Sequence, residues 1–466
     1  MTSRLSLKTT LLLGGIVIMA STAAIAVLSH RFVFGEGHLE RPIIEFLLLI
    51  LFSFVVYAFV FEKLKNADSK AKIKRGSVYW IILVAILCRL FYFSSALIQE
   101  TDPYRYVWDG QTLLKAANPY QHSPEEAMRL KVVPADDSST QSKETFERIN
   151  HPGIRTIYPP LAQVFFAFSQ ILSPWSFMGL KVLIFLSEMI ILGVLATLLK
   201  EIGKPIEWLV LYAWSPLVLK EYSNGLHLDV FAVLFLCAMI YACLRQRLAL
   251  AFVALALSVL VKWFAVVLLP LLVVQSWKQK ASIAQTLKYL FLFAGIFLVF
   301  YLPFLGAGRF LFDGLTRFSL EWRVNEGLFG LIRSRVLAGL LLAAVIGIVS
   351  FWLVKKQDVV SFGKACAVAL ASLFFLSPVA NPWYFTWVIP FLIFLPMRSL
   401  VLFSGLVFLY YFDFYFMYRS DSQGFFWVRC IEYGFFFISL GWELCKNRQW
   451  PLFYPLPTNA ASSETR

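Results

Sequence analysis

Charge is what this sequence has least of. Only 15% of its 466 residues are Asp, Glu, Lys or Arg, against 59% apolar ones, whereas a soluble globular chain carries about 25% and 45–50%. That shortage excludes a soluble domain, a disordered chain and a collagen-like one. Useful cysteine spacing is missing too. Cys88, Cys237, Cys243, Cys366, Cys430 and Cys445 sit in apolar stretches or at their ends without a CxxC pair, so neither a disulfide framework nor structural zinc is expected. There is no internal repeat, no heptad pattern, and no P-loop, GxGxxG, HExxH or nucleophile elbow. A soluble nucleotide-binding unit is therefore excluded.

Long apolar runs are what the chain has instead. They recur from residues 9–29 to 428–445 and predict an all-α polytopic membrane protein with about 12–13 transmembrane helices. Segments such as 161–173 and 208–220 fall short of the roughly 20 residues a crossing needs. They are expected as short or broken helices that end inside the membrane at a protein-lined cavity. The formal charge of +14 is read as basic loops retained in the cytoplasm, with no nucleic-acid partner. Glu62–Gly76, with Lys63, Lys65, Lys70, Lys72, Lys74 and Arg75, is the clearest such loop. Counting outward puts 98–160, 221–229, 306–335 and 378–383 on the external face. Arg4 and Lys8 before Leu11–Leu28 read as an uncleaved signal-anchor. Residues 1–450 form one membrane-embedded domain with 98–160 as its external catalytic loop, and 451–466 a poorly ordered cytoplasmic tail.

The external loop carries the chemistry. In Glu100-Thr-Asp-Pro-Tyr-Arg-Tyr-Val-Trp-Asp-Gly110, Asp102 before Pro103 is a ready helix start, and the pattern beyond it predicts an amphipathic helix on the membrane surface. Asp102 is then either a cap paired with Arg105 or a base at the water–lipid boundary. Asp109 lies seven residues on, roughly 10 Å along a helix axis, too far to share a proton or a metal. It is read as an acceptor-orienting group. Arg105 presents a planar fork suited to a phosphate leaving group.

Asp102-Pro-Tyr-x-Tyr-x-x-Asp-Gly110, Asn118-Pro-Tyr120, Tyr158-Pro-Pro-Leu-Ala-Gln163, Asn224-Gly-x-His-x-Asp229 and Ser377-Pro-x-x-Asn-Pro-Trp-Tyr384 follow one another. In that order they resemble the GT-C membrane glycosyltransferases, especially the bacterial polyprenyl-phosphate-mannose-dependent mannosyltransferases. The resemblance implies a GT-C-like fold and a hexosyltransferase of the cell envelope. Such an enzyme takes a sugar from a polyprenyl-phosphate carrier and passes it, with inversion, to a lipid or glycan acceptor. It would sit in the bacterial inner membrane, its site facing the periplasm or exterior. Asp102 matches the family's general base. Tyr158, His227, Asp229, Asn381 and Tyr384 fall in the shared motifs as substrate-binding candidates. The chain departs from the family at Asn381, where members often carry a His, and an Asn cannot shuttle a proton near neutrality.

Other ionisable residues in apolar surroundings are functional candidates. Lys262 interrupts the apolar hairpin 248–275 and is read as donor-phosphate-binding at its external turn, against simple snorkelling. Arg323 is preferred among the arginines of 306–335 for the same task. Arg89 is read as binding a carrier phosphate or pairing with Glu188. Asp229 has a bland alternative as the cap of the helix that follows it, and Trp387 is read as part of the interfacial aromatic belt. His227, Asp229 and Asp102 lack ligand-like spacing, so a divalent metal is possible but neither an obligatory zinc nor another cofactor is expected. Two alternatives remain: a flippase for lipid-linked sugars, or the same architecture moving another sugar such as aminoarabinose or glucose.

Overall fold

Long apolar runs fold as helices because only helices satisfy every backbone donor and acceptor within hydrocarbon. The computed structural model describes residues 6–35, 40–67, 75–132, 140–356, 358–417 and 422–447, and all regular structure among them is helical apart from one isolated bridge, Val324 to Val379. Among the described residues eight helices are long and apolar enough to cross a membrane: Leu7–Arg31, Ile43–Lys65, Gly76–Ser94, Met178–Glu201, Ile283–Phe310, Arg335–Val354, Val359–Leu376 and Arg398–Phe416. Five shorter apolar helices stand among them, including Pro160–Leu172, Asp229–Leu244 and Leu248–Val261. The expected mixture of full and short spans is present, with one boundary changed: 365–377 is the end of the 18-residue helix Val359–Leu376. The last helix, Ser422–Asn447, has 26 residues. Lys70, Lys72, Lys74 and the tail 451–466 lie outside the described residues.

Local sequence explains the breaks. Segment 208–220 becomes short helical pieces around Ser215-Pro216, then a π-turn over Leu219–Asn224. A proline removes a helical donor and crowds the preceding turn. The hairpin 248–275 breaks at Lys262, whose backbone is extended (φ −155°, ψ 128°). The π-turn ends against the loop that follows Gly76–Ser94, where Asn224 donates to the Ala96 carbonyl, and Lys262 shares a cavity with Asp102 just beyond that loop. Elsewhere Arg398 grips Glu62 through two bonds of 2.7 and 2.8 Å, and Lys65 reaches Glu443.

The helix Asp102–Leu114 lies on Pro160–Leu172. Gly110 makes that seating fit: a Cβ there would stand 2.5 Å from the Phe166 carbonyl oxygen. Tyr106 stacks on Phe166 at 4.5 Å across the same contact. Inside the bundle, the choice left open for Arg89 is resolved. Its guanidinium meets Glu188 at 2.7 Å with both side chains fully enclosed, and donates to the Ala85 and Ala213 carbonyls. Ser223 donates to the other Glu188 oxygen.

Candidate active site

The helix that carries Asp102 begins at that residue, with Thr101 in the cap position, and no side-chain cap bond is made. This corrects the expectation of an Asp102 cap: Thr101 takes that position, its carbonyl accepts from the Tyr104 N–H at 3.1 Å, and the Asp102 carboxylate lies 4.0 Å from His227 Nδ1. Arg105 is likewise not its partner. Arg105 pairs one turn further on with Asp109 at 2.7 Å and donates to the Ile154 carbonyl, leaving Nη2 without a partner. Asp109 is 1% exposed and also lies 3.4 Å from Gln163 Nε2. It therefore orients Arg105 from behind.

Asp102 stands where two cavities meet. One, of about 320 Å³, is walled by Asp102, Arg105, Tyr158, Lys262, Asn381 and Tyr384, with aromatic rings from Trp263 and Trp322. Six of the ten residues singled out from sequence thus share one space. The second, of about 590 Å³, runs past Asp102 on the side of Phe32, Arg41, Tyr104 and Arg148. Asp102, Asn150, Trp383 and Tyr410 belong to both. Within the first cavity Asp102 is the one carboxylate of the described wall.

Lys262 reaches this cavity from the broken hairpin. Its ammonium donates to both oxygens of Asp229 at 2.8 and 2.7 Å and lies 4.2 Å above the Tyr384 ring. Asp229 is fully buried and makes no cap bond, so the capping alternative is excluded. Trp387, expected in the lipid belt, is instead 4% exposed, donates its indole N–H to Asp229 and stacks on Phe264 at 3.6 Å. Arg323 stands elsewhere: it pairs with Glu326 and lines a separate cavity.

His227 does not line the first cavity. Its ring is buried and stacked on Trp383 at 3.9 Å, with Nδ1 4.0 Å from Asp102 Oδ2 and Nε2 at 3.2 and 3.4 Å from Glu100 and Glu221. Lys220 lies between those two carboxylates at 3.1 and 3.3 Å, and Tyr411 donates to Glu221. Burial alone lowers an imidazole's proton affinity, but Glu100 and Glu221 overcome it and hold His227 up to about 9. Burial likewise pushes the Glu100 carboxyl up, yet His227 and Lys220 outweigh it and keep it below the ordinary range. For Asp102 burial wins over the His227 charge, and its carboxyl is raised.

Glu100, Glu221 and His227 have atoms within 4.8 Å of one another, the one grouping among the described residues with metal-ligand spacing. The donor set argues for a different cation. The Lys220 ammonium already occupies the place between the carboxylates, and a metal would have to displace it. Sequence reasoning passed over Lys220, Glu221 and Tyr411. The signal was there, two adjacent opposite charges closing an apolar run, which marks a functional or paired site.

Asn118 and Tyr120 turn out to brace the site. Asn118 donates to the Phe304 carbonyl and Tyr120 to the Tyr158 carbonyl at 2.7 Å, tying the loop to the end of Ile283–Phe310 and to the cavity wall at Tyr158.

A family model described as alpha-(1->6)-mannopyranosyltransferase, N-terminal domain, matches residues 8–278, more than half of the chain and the part that holds Asp102, Arg105, His227, Asp229 and Lys262. No curated protein and no solved structure matches it.

Proposed function

The chain belongs to the alpha-(1->6)-mannopyranosyltransferase family, and from that membership we propose that it transfers a mannosyl group from a polyprenyl-phosphate carrier to a hydroxyl of a lipid or glycan acceptor at the external face of the bacterial inner membrane. The observation that carries this reading is the position of Asp102, a lone carboxylate at the junction of two cavities, with Arg105, Arg155 and Lys262 in the wall of one of them.

The cationic cavity takes the donor. Arg105 Nη2 is unspent, and Lys262 has given two of its three protons to Asp229, so each has capacity left for a phosphate oxygen. The second cavity brings the acceptor hydroxyl to Asp102 from the other side. Asp102 removes the hydroxyl proton as that oxygen bonds to the anomeric carbon, while the bond from that carbon to the phosphate oxygen breaks. The lipid phosphate departs with the electron pair and is held by Arg105 and Lys262. No second carboxylate of the described wall faces the donor cavity to act as nucleophile. That supports a single inverting displacement. Lys63 and Lys65 close the span Ile43–Lys65, and the lysine-rich sequence after them supports the external orientation.

The test is transfer of radiolabelled mannose from polyprenyl-phosphate mannose by purified Asp102→Asn protein. Transfer is expected to fall by about 10²–10⁴-fold, the usual worth of general-base catalysis, with donor binding retained. Near-normal turnover would remove Asp102 from the mechanism.

A further inference from the structure

Asp229–Leu244 and Leu248–Val261 pack together as a hairpin whose tips carry Asp229 and Lys262. Near its turn lies a cavity of about 480 Å³ that the mechanism above does not use. Ala238, Tyr241, Ala242 and Arg245 line it from the first helix, at the spacing that puts side chains on one face. Leu250 and Ala254 line it from the second, and Leu250 is exposed. Three alanines where larger side chains could meet leave a furrow between the two helices.

Arg245 and Arg247 complete the wall, and both are exposed. Neither side chain is spent on closing the helix. The Tyr241, Ala242 and Cys243 carbonyls accept from the backbone N–H groups of Arg245, Arg247 and Gln246, and Gln246 takes the left-handed conformation (φ 55°) that such an ending uses. Arg245 donates to Glu201 at 2.8 Å and to the Tyr241 hydroxyl at 3.3 Å. Arg247 makes no ion pair among the described residues. Two guanidinium groups against one carboxylate leave the turn a positive charge in excess.

The combination selects a ligand class. A free phosphate would use the arginines and gain nothing from the alanines. A purely apolar chain would use the furrow and leave the charge unanswered. A phospholipid uses both, and the excess charge favours one with a net negative charge over a zwitterionic one. The dimensions agree: Ala238 precedes Arg245 by two helical turns, about 10 Å along the axis, within the roughly 15 Å of hydrocarbon in one leaflet. Tyr241 stands between them, at the level where tyrosine is favoured at the headgroup boundary. Short basic turns are retained on the cytoplasmic side, and anionic lipids give that leaflet its negative surface potential.

We propose that this furrow is a binding site for one anionic phospholipid of the cytoplasmic leaflet, with its phosphate on Arg247 and Arg245 and an acyl chain along Ala238, Leu250 and Ala254. Bound there, the lipid clasps the hairpin at the end away from Asp229 and Lys262. The inference does not depend on which donor or acceptor the protein uses.

Native mass spectrometry of the full-length protein in detergent, titrated with dioleoyl phosphatidylglycerol or dioleoyl phosphatidylcholine, reads the first lipid bound. Phosphatidylglycerol is expected to bind about tenfold more tightly, the scale of one hydrogen bond to a charged group, and Arg247→Gln should erase that preference. Lys355→Gln removes an exposed cation outside the furrow and should preserve it. The site is overturned if the unmodified protein shows no preference, if Arg247→Gln keeps it within twofold, or if Lys355→Gln loses it equally. Ala238→Leu fills the furrow and should weaken both lipids several-fold; affinities within twofold of the unmodified protein overturn the seat for the chain. Glycerol phosphate should not displace phosphatidylglycerol at equal concentration. Displacement would identify a free-anion site and overturn the lipid assignment, as would tighter binding of polyprenyl phosphate than of phosphatidylglycerol.

Discussion

Lys262 offers the sharpest separation between holding the fold and holding the substrate. Its ammonium is chelated by both oxygens of Asp229, a carboxylate with no exposure, and the Trp387 indole is that carboxylate's remaining donor. Lys262→Met alone would strand a buried charge, and breaking such a pair costs about 3–5 kcal/mol. Lost donor affinity in that variant would therefore be ambiguous. The double variant Lys262→Met/Asp229→Asn removes both charges, and its thermal stability should recover toward that of the unmodified protein. Donor capture should not recover, because the proton offered to the phosphate is gone. One charge-assisted hydrogen bond is worth about 1.5–3 kcal/mol, so the donor dissociation constant should rise roughly 10–150-fold. Equilibrium binding of labelled polyprenyl-phosphate mannose reads this directly. A folded double variant that binds donor within twofold of the original would refute the assignment and return Lys262 to a structural role.

Further outcomes are expected at Asp102, His227 and Gly110. The base must be a carboxylate to act, and burial raises the Asp102 pKa, so kcat/KM should fall with decreasing pH at a point above the ordinary carboxylate range of about 3.9. His227→Gln removes the neighbouring positive charge and should move that acid limb further up; an unmoved limb would sever the link. The imidazolium itself, held up to about 9, contributes stability that is complete below about pH 6.5 and is lost as pH rises through 9, which thermal unfolding across that window would record. Gly110→Val should lift the Asp102 helix from Pro160–Leu172, since even a Cβ there meets the Phe166 carbonyl at 2.5 Å. Overpacking of this kind costs about 1–3 kcal/mol, and a variant with unchanged melting and turnover would show that the contact is not needed.

The membrane architecture was legible in the sequence because hydropathy acts over whole segments, and lipid leaves the backbone few alternatives. Breaks at Ser215-Pro216 and Lys262 could also be read locally, from a proline and from a charge that cannot stay in hydrocarbon. Apart from the Arg89–Glu188 alternative, which charges face each other could not. Arg105 turning to Asp109, His227 lodging behind Trp383, and Trp387 holding Asp229 are contacts between segments far apart in the chain or choices between equally spaced partners. Spacing alone carries no information about them. The cavity shared by Asp102, Arg105, Tyr158, Lys262, Asn381 and Tyr384 emerged because the motif residues lie at helix ends and breaks on one side of the bundle.

The enclosed contact between Arg89 and Glu188 also bears on how the molecule is assembled. The guanidinium is synthesised before the whole segment 98–160, while its counter-ion comes only with Met178–Glu201. During biosynthesis the third span must therefore enter lipid with its cation unanswered, at about 2.5–3.5 kcal/mol on insertion scales, or wait beside the insertion machinery until the later helix arrives. Assembly of this bundle is thus ordered in time by a debt that a single late glutamate discharges.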